Sequence, residues 1–364
     1  MLRQSETIID KLGKILLFSV EDFCNKIVLG NNCFICGADN RSKFFNDEHI
    51  IPDWILRKYS LHNQHITLPN SALFKYDRYK IPCCRNCNSL LGEKIEKPVS
   101  NLLKLSYSEI CHALSSNEKN ISLLYTWLML IFFKVHLKDN YFSKNLNHQK
   151  GDLKIGDSYD WSEMHHIHCV IRKDYTNAII DRNIIGTIFV VPAFNHKDIV
   201  PFDYTDNYAG KVVMLRLDEF CIFCVLNDSC GVFNLFYDSF KKINGPLTPF
   251  QLKELFTHLV YINLRIKERP VFFSSFSSNG NYNINAIFPD IVELVPESEF
   301  SCTRGELLFY YCKDLIGPIE NREKILDEIK NGKRRYLFDN NGDFINFESA
   351  LKTSFFQNAE KFRF

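Results

Sequence analysis

Apolar residues recur at helical spacing through residues 6–29, where Ile9, Leu12, Ile15, Leu16 and Phe23 fall on one side, so a helix is expected there. A second helix is expected to follow Cys87 and to run from Glu93 to Ser108, broken at Pro98, which lacks a backbone donor. The most apolar segment runs from Ile121 to Phe133 and is interrupted by Lys134. It is shorter than the roughly 20 residues of a bilayer span, and predicts a buried helix over 118–138. Residues 139–160 are polar, with Asn147, His148, Lys150, Gly151 and Asp152, and read as a linker. Beyond them, His166–Arg172, Ile184–Val191, Lys211–Leu217, Phe220–Leu226 and Gly231–Tyr237 are short β-branched or aromatic runs, expected to be strands of one sheet. Pro246 to Ile266 reads as a helix entered through Thr248-Pro249, a cap followed by proline at the first helical position. Helices are expected again over Glu306–Leu315 and Asn321–Lys330, before a turn at Gly332 to Arg335. No internal repeat or low-complexity tract interrupts the pattern.

Length and charge narrow the picture. The 364 residues, 46% hydrophobic, leave room for two or three domains with substantial cores. A net charge of +1 gives no global field for nucleic acid, so such contact must come from a local basic surface. Lys75, Arg78, Lys80, Arg85 and Lys94 supply one candidate, with an ordinary solvated loop as the alternative. Thirteen cysteines, and a start at Met1 without a basic region and apolar core, point to a reducing compartment and a cytoplasmic location, with no membrane partner.

The cysteines carry the chemistry. Cys33 and Cys36 form one C-x-x-C pair and Cys84 and Cys87 another, the spacing of a four-cysteine zinc site in which each tight turn offers two thiolates. Asn31, Asn32, Gly37 and Asn40 give the first pair turn chemistry, and Pro82 precedes the second. Between the pairs lies Asp47-Glu48-His49-Ile50-Ile51-Pro52. Adjacent side chains diverge at a strand end, so one of the carboxylate and imidazole groups could hold a divalent ion while the other activates water.

The order of these motifs, with Glu48 to Ile55 reading Glu-His-Ile-Ile-Pro-Asp-Trp-Ile and Cys84 to Gly92 reading Cys-Arg-Asn-Cys-Asn-Ser-Leu-Leu-Gly, resembles the HNH (ββα-metal) endonucleases that carry a structural zinc. The resemblance covers roughly residues 30–100. It implies an α+β chain: an N-terminal ββα-metal zinc module with flanking helices over 1–117, then a helical connector and mixed α/β domain over 118–364. It also implies His49 as the general base, Glu48 and Asn88 as ligands of a catalytic magnesium or manganese ion, and a structural zinc on Cys33, Cys36, Cys84 and Cys87. Asp47 is a rival to Glu48, and Asn88 could instead cap a helix. The family's middle asparagine, which orients the histidine, has no counterpart just before the second pair. Asn63, Asn70 or a backbone carbonyl could take its place.

The expected activity is therefore hydrolysis of phosphodiester bonds in DNA. The analogous bacterial proteins serve restriction or phage defence, which implies a sensor or activator protein as partner. The alternatives are a non-catalytic zinc-ribbon adaptor for nucleic acid or protein, and an RNA-cleaving effector. No Walker loop, dinucleotide fingerprint or helix-turn-helix is present to suggest another activity. Cys221 and Cys224 have knuckle spacing but sit in an apolar run, so buried thiols are expected. His165, His166 and His168 are expected on a solvent-facing strand edge, and Lys333-Arg334-Arg335 on a solvated turn.

Overall fold

Strand β1 (Phe45–His49) pairs antiparallel with β2 (Lys80–Cys84), setting Glu48 opposite Ile81 and His49 opposite Lys80. The chain runs straight from β2 into helix α1 (Arg85–Leu91), which packs on both strands. These elements belong to a computed structural model that describes residues 6–147, 151–277 and 280–346. The architecture is mixed α+β, with helices around several small sheets. By contacts the chain divides into one unit of residues 1–185 with 271–287 and another of 186–270 with 288–364.

In the first unit, α1 does not stop at Leu91. It widens into one π-helical turn, Gly92–Glu96, and resumes as helix α2 (Lys97–Leu102). Pro98 falls in the first turn of α2, where its missing donor costs little, so the expected break becomes a restart. The apolar run forms helix α3 (Glu118–Asp139), begun by the Asn117 side chain accepting from the Lys119 backbone. This helix is long and apolar enough to cross a membrane, yet 78% of its most apolar window is buried inside the protein, as in a core helix.

Two expectations fail here. The helix expected over residues 6–29 begins only at Val20: Ile8–Ile9 pairs with Ile15–Leu17 as a hairpin, and Leu12 at its tip is 93% exposed. Asp10 accepts from Leu12 and Lys14, and Gly13 takes a positive φ of 80°, so turn chemistry overrides the apolar spacing. The strand expected at His166–Arg172 is helix α4 (His165–Ile171), buried rather than solvent-facing. Helical spacing brings His165, His168 and Arg172 to one face, where they bond the carbonyls of Phe18, Phe34 and Ile35. A strand would point His165 and His168 to opposite sides. Within the polar stretch 139–160, Ser143 is bridged to Lys154; His148 and Lys150 lie outside the described residues.

The second unit holds a four-stranded antiparallel sheet. β3 (Ile188–Pro192), β4 (Phe202–Asn207), β5 (Val212–Leu217) and β6 (Phe220–Val225) lie in the order β3-β6-β5-β4. Three of the expected strands are thus present. The fifth run is instead helix α5 (Gly231–Phe240), whose start is anchored by the Asp228 carboxylate accepting from Val232. Val232, Phe236 and Phe240 recur every four residues and face the core. Helix α6 (Pro249–Arg265) begins with a capping box of Thr248 and Gln251. Cys221 and Cys224 are fully buried free thiols of β6, and burial raises both well above the ordinary thiol range.

Candidate metal centre and strand-end site

The first knuckle is a tight loop. Cys33 donates its backbone N–H to Ala38, and Gly37 donates back to Cys33. Gly37 has φ +75° and lies where a Cβ would come within 2.6 Å of the Phe18 ring, so only glycine fits. The second knuckle is the start of α1, with Cys84 at the cap and Cys87 in the first turn. The four sulfurs of Cys33, Cys36, Cys84 and Cys87 are buried and lie within 4.8 Å of one another. Cys36 and Cys84 approach to 3.7 Å, near the edge of about 3.8 Å that tetrahedral Zn–S bonds of about 2.3 Å require. Donor type, number and spacing therefore fit a structural zinc ion. Hydrogen bonds from Cys36, Cys83 and Cys87 push the Cys33 thiol far below its ordinary range, while the same sharing raises Cys87.

Cys83 was not singled out by the spacing. It is buried with its sulfur 3.9 Å from that of Cys33, and strand alternation turns it to the face opposite Cys84. Glu48 and Ile81 share the Cys83 face; His49 and Lys80 occupy the other.

Glu48 is buried, and its Oε1 accepts at 2.8 Å from Nζ of Lys134, a side chain on α3 with no exposed surface. The same ammonium donates at 2.7 Å to the backbone carbonyl of His49 and lies 3.6 Å from Oε1 of Glu96. Burial alone would lower Lys134, but Glu48 and Glu96 outweigh it and the ammonium is held above its ordinary range. Burial pushes Glu96 up to about 7, against the pull of Lys134. A glutamate such as Glu96 is ordinarily solvated. Instead its Oε1 is sealed and unbonded, although the side chain keeps 20% of its surface.

His49 closes β1. Burial, and then the Lys80 ammonium, lower its pKa below the ordinary 6.5, so the imidazole is neutral at physiological pH. Its Nε2 is buried and has no hydrogen-bond partner among the described residues. Neither expected asparagine orients it: Asn70 bonds the Ser143 carbonyl and the Ala72 backbone, and Asn63 is exposed. Asn88 lies half-buried in α1, one residue past Cys87, and Asp47 is exposed. The basic residues divide, with Lys75, Arg78, Arg85 and Lys94 exposed and Lys80 half-buried beside Asp77.

The sequence marked Lys134 as the charge that interrupts an apolar run, which was the available sign of a buried partner. Glu96 had no such sign, because regular helical winding sets it about 80° away from Asn88. No protein-family model, curated protein or solved structure matches the chain.

Proposed function

We propose that this chain is a metal-dependent endonuclease of the HNH (ββα-metal) kind, hydrolysing phosphodiester bonds in DNA. The observation that carries the reading is the four-thiol cluster, which ties the first knuckle to the junction of β2 and α1 beside a strand ending in a neutral, half-buried histidine. His49 takes a proton from the attacking water, for which its lowered pKa and unbonded Nε2 suit it. Glu48 and Asn88 offer the hard oxygen donors that suit magnesium or manganese. Lys134 occupies Oε1 of Glu48, so Oε2 is the oxygen left for an ion. The bound ion supplies Lewis-acid stabilisation of the charge that builds on the phosphate. Exposed Arg78, Arg85 and Lys94 suit a phosphate backbone. By analogy with the resembled proteins, the enzyme is a regulated effector in bacterial defence, released by a sensor or activator protein.

A non-catalytic zinc-clamped adaptor for nucleic acid or protein is the second reading. The ion pair favours it, because Lys134 already supplies Glu48 with a cation. Supercoiled plasmid and structured RNA, each incubated with zinc-loaded protein with and without magnesium or manganese, separate these readings. Metal-dependent nicking that disappears in His49→Ala supports the nuclease; RNA loss alone redirects the substrate; cleavage retained in His49→Ala overturns the assignment. Binding without cleavage, with or without an activator, supports the adaptor.

A further inference from the structure

The resemblance leaves open what holds the proposed base in place, and neither nearby asparagine does so. We propose that Lys134 is the positioning residue of the strand-end site, fixing His49 through its backbone carbonyl and Glu48 through its carboxylate. The inference rests on the nuclease reading for its kinetic consequence, but the positioning itself can be measured without cleavage.

The geometry is that of a bracket. One ammonium, on the core helix α3, reaches two consecutive residues of β1: the Glu48 side chain at 2.8 Å and the His49 carbonyl at 2.7 Å. Because adjacent strand side chains diverge, no single side-chain contact could hold both residues. A donor that grips one side chain and the next backbone carbonyl fixes the position of the strand end and one carboxylate oxygen together. Lys134 has no exposed surface, so neither bond competes with water. Glu96 completes the bracket from the helix side at 3.6 Å, too far for a hydrogen bond but close enough to attract the ammonium. This is the place that outer partners of ligands and bases take in metal sites, where their loss typically costs about 10- to 100-fold in affinity or activity.

The test uses full-length zinc-loaded protein carrying Lys134→Met, Lys134→Arg, or Lys134→Met with Glu96→Gln; the double variant leaves fewer uncompensated carboxylates if the single one folds poorly. Cleavage is read as kcat and KM separately, and the His49 ring is read by NMR of 13C-histidine-labelled protein, assigned with His49→Ala. The expected result is a kcat about 10- to 100-fold lower with KM little changed. Zinc content should be retained, the His49 signal should be displaced while other histidine signals stay, and Lys134→Arg should recover most of kcat. An unmoved His49 signal overturns the proposal, as does kcat within twofold of the parent. Loss of zinc and of the folding transition in both methionine variants also overturns it, assigning Lys134 to folding alone. If the parent cleaves nothing, the nuclease reading fails, and the His49 signal still decides whether Lys134 positions the strand end.

Discussion

Replacing Glu96 by glutamine should make the protein more stable at alkaline pH and leave it unchanged in acid. Glu96 ordinarily titrates near 4.5, as it would in the unfolded chain, and burial raises it to about 7 in the folded one. Below pH 4.5 both states hold the proton, and no difference arises. Between 4.5 and about 7 the unfolded chain ionises while the folded chain keeps its proton, so each pH unit weakens the fold by about 1.4 kcal/mol. Above 7 the deficit is constant at no more than about 3 kcal/mol, an upper value because the side chain keeps 20% of its surface. Glutamine carries no such titration and preserves the shape. Chemical denaturation of parent and Glu96→Gln, zinc-saturated, at steps between pH 4.5 and 8.5 gives the stability difference directly. It should grow in favour of the variant up to about pH 7 and then level off. A difference that stays flat, or one that favours the parent at pH 8, would refute the raised carboxyl.

Three further outcomes follow. Cys84→Ser should lose the zinc measured by metal analysis and lower the melting temperature; full zinc retention would exclude Cys84 as a ligand. Because burial and then Lys80 hold His49 below 6.5, cleavage should stay level at neutral pH and fall only on further acidification. Lys80→Met should shift that acid limb upward, and a downward shift would contradict the arrangement. Arg172 donates to the carbonyls of Ile15, Leu16 and Ile35, so Arg172→Met should cost about 3 kcal/mol or more in denaturant melts, whereas a loss under 1 kcal/mol would mean those carbonyls find other partners.

Spacing made the four-cysteine cluster legible, because a C-x-x-C pair constrains its own loop and the two pairs meet in space. The helix through Thr248-Pro249 was legible for a similar reason, since its cap is local. His166–Arg172 reads as a strand because β-branched Ile167, Val170 and Ile171 favour extension locally, yet the chain is helical there. The deciding contacts, from His165, His168 and Arg172 to carbonyls far earlier in the chain, carry no local mark. The Lys134 bracket was hidden in the same way: it joins residues 86 apart, and an isolated lysine in an apolar run does not declare its partner.

The widened turn at Gly92–Glu96 constrains the chain through its length. In an uninterrupted α-helix, eight residues from Asn88 would leave Glu96 rotated by about 80°. The slower winding of a π turn brings it back toward the Asn88 side, so the turn acts as a phase shifter between the knuckle and the core helix. Glu93 and Lys94 are both exposed within it, so substitutions there should leave the fold intact. Deleting either one should close the turn into regular α winding, with Glu96 seven residues and about 20° from Asn88, so that its carboxylate stays on the Lys134 side.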